Sequence, residues 1–126
     1  MIEETDKKRL ASDSDGLLTY EYIANHIDTM IDDIDFLIDN MARADLNGQF
    51  IISAARYLFA IGADEFSPAI ERLVSIGIDK DRERKYIGAL MEQFYGPDYA
   101  ERAIELSAAD NNFRRIFKRL HPQGAL

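Results

Sequence analysis

Residues 46–63 carry a single charged side chain, Arg56, among Phe50, Ile51, Ile52, Ala54, Ala55, Leu58, Phe59 and Ile61. A helix that is apolar nearly all round cannot lie on a surface, so this stretch predicts a buried central helix with the other elements packed about it. A chain of 126 residues supports one such core. With 47% hydrophobic residues against 30% charged, it has the side chains to build one. Apolar positions recur throughout at helical spacing and nowhere alternate as in strands. The expected fold is therefore all-α, a compact bundle of about five to six helices.

From Tyr20 onward the apolar residues Tyr20, Ile23, Ile27, Met30, Ile34, Leu37 and Met41 recur every three or four positions, and Ile31 and Ile38 widen the seam. This predicts one long amphipathic N-terminal helix ending before Leu46-Asn47-Gly48. Phe59-Ala-Ile-Gly-Ala-Asp-Glu and Val74-Ser-Ile-Gly-Ile-Asp-Lys resemble each other, with Gly62 and Gly77 as expected helix stops and Ser67-Pro68 and Asp79 as the following starts. Their spacing is too short for a solenoid repeat. Further helices are expected around Ile87, Leu90, Met91 and Phe94, ending at Gly96-Pro97, then around Tyr99, Ala103 and Ile104. A last one carries Phe113, Ile116, Phe117 and Leu120 on one face, before Pro122. Residues 1–15, with only Ile2 and Leu10 as bulky aliphatics after Met1, read as a disordered tail. Residues 16–122 read as one helical domain, and 123–126 as a disordered C-terminus.

Fifteen Lys and Arg against 23 Asp and Glu give a net charge of −8, which disfavours phosphate-backbone binding and anionic membranes and favours basic partners. The absence of cysteine excludes disulfides and thiolate chemistry. The charged N-terminus lacks an apolar stretch behind it, and no run of about 18 apolar residues exists, so neither a signal peptide nor a membrane span is expected and a cytoplasmic location is. Gly-x-Ser-x-Gly, Gly-x-Gly-x-x-Gly and His-Glu-x-x-His are all missing. The two histidines, His26 and His121, lie far apart in sequence, and His26 borders the apolar seam, as a structural histidine would. No enzyme, catalytic residue or cofactor is expected.

The most unusual local feature is acidic. Between Tyr20 and Ala42 stand Glu21, Asp28, Asp32, Asp33, Asp35 and Asp39, without one Lys or Arg. On a continuous helix Asp28, Asp32, Asp35 and Asp39 form one stripe, with Phe36 beside it and away from the apolar seam. This pattern fits a protein-interaction module of the adaptor, immunity or antitoxin kind, docking a basic partner or a second copy through Asp28, Asp32, Asp35, Phe36 and Asp39. A solvated face, or pairing with Arg56 or with the basic last helix, is the competing explanation. That last helix carries Arg114, Arg115, Lys118 and Arg119, a secondary basic surface that suits its own dipole or self-association more than nucleic acid.

Two loops, Asp13-Ser-Asp15-Gly16-Leu-Leu18-Thr19 and Asp45-Leu-Asn47-Gly48-Gln-Phe50, share about half the pattern of a calcium loop. Ala11 and Arg43 fall where the first ligand belongs, and Tyr22 and Ala54 where the bidentate glutamate belongs. Asx-turns and helix caps account for both loops without a metal. The Asp15-Gly16-Leu17-Leu18-Thr19 start and the acidic helix after it are similar to the TerB-like helical domains associated with tellurite-resistance proteins. That likeness covers about a third of the chain, and the second loop lacks the acidic residues after its glycine. It sits beside the alternative reading, a divalent-metal-binding helical protein using these Asp clusters, although no individual metal ligand can be assigned.

Overall fold

Asp45 leads into Gly48, whose φ of 86° is left-handed, and the chain enters α4 (Gln49–Gly62). Ile51, Ile52, Ala54, Ala55 and Leu58 of α4 are buried, so this is the central helix that its composition predicts. Of its large apolar side chains Ile61, 52% exposed, faces solvent. The computed structural model describes residues 1–122 and arranges them as eight α-helices and one 3-10 turn. The expected disorder of residues 123–126 lies outside the described residues.

Around α4 pack α2 (Leu17–Asn25), α3 (Ile34–Ala44), α5 (Ser67–Lys80) and α6 (Ala89–Tyr95). Two more helices, α7 (Ala103–Ala109) and α8 (Asn111–Leu120), pack on each other, and α8 lies against α5. Phe113, Ile116 and Phe117 turn inward from α8, as its periodicity predicts. In α7 Ala103 is buried, but Ile104 is 80% exposed and takes no part in the core.

The long N-terminal helix is in fact broken. It stops at Asn25, turns through His26, and resumes as a 3-10 turn (Met30–Asp33) before α3. A straight helix over those residues would run about 33 Å, and it would stack aspartates at mutually repelling positions. At the break the amides of Thr29 and Met30 both donate to the His26 carbonyl, and the His26 ring stacks on Tyr22 with Nδ1 2.9 Å from the Tyr22 carbonyl. The apolar spacing survives because the connecting turn is itself nearly helical.

The expected N-terminal tail is likewise ordered. Residues Glu4–Ala11 form α1, and its two aliphatics are the anchors: Ile2 is 4% exposed and Leu10 is fully buried. Asn40 of α3 donates through Nδ2 to the Leu10 carbonyl (2.8 Å) and to Thr19 Oγ1 (2.9 Å), tying α1, α2 and α3 together.

One joint is used three times. Asp13, Asp45 and Asp81 are each at most 2% exposed, and each carboxylate accepts amide protons from the residues after it. In every case the amide six residues on, of Thr19, Ile51 or Ile87, is among the donors, at 2.8–2.9 Å. Three residues after each aspartate stands the left-handed residue: Gly16, Gly48 and, unlike the others, Arg84 at φ 58°. Arg84 there incurs a steric cost that glycine would not.

Gly77 does not stop a helix. It lies inside α5, where an added Cβ would sit 2.6 Å from Ile52 Cδ1 and 2.9 Å from Ile52 Cγ1 of α4. The 59–65 and 74–80 likeness therefore marks one true helix end, at Gly62, and one close crossing. Asp79 starts no helix either, since α5 runs on to Lys80. Gly77→Ala is expected to lower stability by about 1–2 kcal/mol, although alanine ordinarily gains roughly 1 kcal/mol inside a helix. An unchanged or higher melting temperature would contradict the crossing. Arg84→Gly is expected to act in the other direction, raising stability by up to about 1 kcal/mol in denaturant titrations.

Candidate functional site

The break in the N-terminal helix decides what the acidic stripe becomes. Asp28 now lies in the turn and Asp32 in the 3-10 segment, while Asp35 and Asp39 lie on α3. Arg72 of α5 reaches across to both α3 carboxylates, donating to Asp35 Oδ1 at 3.3 Å and to Asp39 Oδ1. Asp33 faces the N-terminal ammonium at 3.6 Å. Asp28 and Asp32 are exposed and have no ion-pair partner among the described residues.

Beside them Ile31 is 43% exposed and Phe36 38% exposed. Lys7 of α1 covers one face of Phe36, with Nζ 5.7 Å from the ring centroid. Charge is felt beneath the surface as well. Burial pushes the Tyr22 hydroxyl up from its ordinary range, and Asp6, Asp33 and Glu3 push it further. The α2–α3 corner is thus an acidic surface with two half-exposed apolar side chains. The expected docking residues fall into two groups there: Asp28, Asp32 and Phe36 at the corner, and Asp35 and Asp39 tied to Arg72.

The basic helix does not meet the acidic one. Arg115 turns toward α5, donating to Asp79 Oδ1 at 2.7 Å and Ser75 Oγ at 3.0 Å. Arg119 donates to the carbonyls of Ile78 and Asp81, both at 2.8 Å. Arg114 bonds Asn111 on its own helix, and Lys118 stays exposed. Arg56 pairs neither with the acids nor with α8, since its Nε donates to Gln93 at 2.8 Å.

The calcium-like loops use their oxygens on the backbone. Asp13 Oδ1 accepts from the amides of Asp15 and Gly16, and Oδ2 from the amide and hydroxyl of Thr19. Asp45 does the same with Asn47, Gly48, Phe50 and Ile51. Asp15 and Asn47 accept from the amides of Leu17 and Gln49, as the Asx-turn reading predicts. These carboxylates point at N–H donors, the opposite of what a cation needs. Among the described residues no group of three His, Asp or Glu side chains converges on a point.

A concavity of about 840 Å³ opens between α4, α5, α6 and the start of α8, over the stacked rings of Phe59 and Phe94. Several of its polar groups are engaged with one another or with nearby backbone. Tyr95 donates to Asp110 Oδ2 at 2.9 Å, Asp110 Oδ1 caps α8 at the Phe113 amide, and Asn112 donates to the Glu71 carbonyl. Burial first, then the Asp110 charge and hydrogen bond, hold the Tyr95 hydroxyl protonated well beyond its ordinary range, which removes it as a base. No nucleophile and base are paired there.

Comparison with family models, with curated proteins and with solved structures finds no match for this chain. No helix among the described residues is long and apolar enough to cross a membrane. The third Asp joint, at Asp81, escaped sequence reasoning because Arg84 stands where the other two loops have glycine.

The Asp13 carboxyl carries a pH signature. Burial pushes its pKa up, but hydrogen bonds from the Thr19 hydroxyl and from the Thr19, Gly16 and Asp15 amides outweigh burial and hold it below the ordinary 3.8. The unfolded chain therefore takes up the proton first, and the stabilisation is complete above 3.8 and lost as pH falls through the folded pKa. Asp13→Asn is expected to cost about 1–2 kcal/mol near neutral pH. Melts of the two proteins should converge as the pH is taken below 3.8.

Proposed function

We propose that this chain is a protein-interaction module that docks a basic, amphipathic partner surface on the corner between α2 and α3. The observation that carries this reading is the pairing of half-exposed Ile31 and Phe36 with the exposed carboxylates of Asp28 and Asp32, which have no ion-pair partner among the described residues. Apolar side chains supply binding energy once water is excluded, and the surrounding acids select a partner of opposite charge and speed its approach. Asp35 adds to the local field, but part of its charge is met by Arg72. An adaptor, an immunity protein or an antitoxin acting in the cytoplasm would use this physics. It needs neither a cofactor nor a bound metal.

Asp28→Lys with Asp32→Lys is expected to abolish capture of a basic protein from a lysate while leaving the thermal melt unchanged. Asp64→Lys with Glu65→Lys, the same charge change on exposed residues of the turn before α5, should leave capture intact. Identical capture by both variants would overturn the reading.

A further inference from the structure

The fold brings together two basic segments that are distant in sequence. Arg84 Nη1 donates to the Arg119 carbonyl at 3.3 Å, and Arg119 Nη2 donates back to the Asp81 carbonyl at 2.8 Å, so the 81–87 loop and the last turn of α8 form one surface. Its acids are already engaged: Asp79 with Arg115, Glu83 with Lys85 at 2.9 Å, and Asp81 within its own loop. Arg82, Arg84 and Lys118 remain exposed, with no ion-pair partner among the described residues. Beside them lies a hollow of about 250 Å³ lined by Ile78, Arg115, Lys118 and Arg119.

Arg84 adds an independent observation. The same joint elsewhere uses glycine at this position, yet here the chain holds an arginine at φ 58°. Strain of this kind persists only where the surrounding structure over-determines it, and here the guanidinium is tied to the Arg119 carbonyl. A cation is thus kept on this face against the preference of the backbone.

We propose that this basic face receives the α2–α3 corner of a second copy, so that the chain associates head to tail. The inference rests on the proposed docking role of that corner. The two surfaces complement each other in kind: Phe36 or Ile31 supplies an apolar side chain for the hollow, and Asp28 and Asp32 supply the charge that Arg82, Arg84 and Lys118 lack. The contact joins different patches, so each copy keeps one free end of either sign and chains can grow.

The test is solution mass against concentration at low and high salt for the full chain, with two variants. Wild type is expected to exceed monomer mass at low salt and to return to monomer as salt rises. Asp28→Lys/Asp32→Lys and Arg84→Gly/Lys118→Glu should each weaken association by about tenfold or more, and an equimolar mixture should regain it, since each variant contributes one intact face. A melt of the second variant at or above that of wild type would show that its loss is not unfolding. A wild-type monomer under all conditions would overturn the inference, while the interaction-module reading stands if the corner variant still loses its captured partner. Association untouched by Arg84→Gly/Lys118→Glu would overturn the assignment of this face. So would wild-type binding to a DNA oligonucleotide that the same variant loses, without any self-association.

Discussion

Three carboxylates taken out of water, those of Asp13, Asp45 and Asp81, hold the helices in sequence by accepting amide protons from the segments that follow them. A lone buried charge would be severely destabilising. Here each is neutralised by several N–H dipoles, and at Asp13 and Asp45 the donors Thr19, Phe50 and Ile51 are first-turn helix amides that would otherwise lack a partner. The two needs cancel, and they fix how each helix leaves its loop. Thr19, Ile51 and Ile87, whose amides make the farthest of these bonds, are fully buried. Joint and core are therefore one structure, extended at Thr19 through Asn40 to the carbonyl of Leu10 in α1.

Helix α5 governs what charge the molecule shows. On one side its Arg72 takes up Asp35 and Asp39, and on the other its Asp79 takes up Arg115. Exposed pairs of this sort contribute little to stability. Their larger effect is to mask part of each charged run, so that Asp28 and Asp32 at one place and Arg82, Arg84 and Lys118 at another stay exposed without an ion-pair partner among the described residues. The surface pattern is thus set by which acids and bases the bundle neutralises internally, and only secondarily by the order of charges along the chain.

Helical periodicity made the bundle, the central α4 and the inward face of α8 legible, because burial selects residues at a spacing the eye can follow. Continuity was less legible. The seam from Tyr20 to Met41 keeps its spacing through the break at His26, so periodicity alone could not report the turn, and the acidic stripe inherited that error. The N-terminal segment looked too poor in apolar residues to dock, yet two aliphatics and a buried carbonyl bond suffice when neighbouring loops already hold it. Gly77 carried a signal that two causes can produce, since a glycine suits a helix end and a close crossing alike. The corner's composition was readable, but the engagement of Asp35 and Asp39 by Arg72, more than 30 residues away in sequence, was not.

The thrice-used joint has a bearing on how such a scaffold diversifies. In each loop the residue just after the anchoring aspartate is exposed: Ser14, Leu46 and Arg82, a hydroxyl, an aliphatic and a guanidinium, each two positions before the left-handed residue. The backbone there is held by the carboxylate behind it, so these side chains can be exchanged without touching the core. Selection can vary the chemistry displayed at three fixed points while the bracket that presents it stays the same.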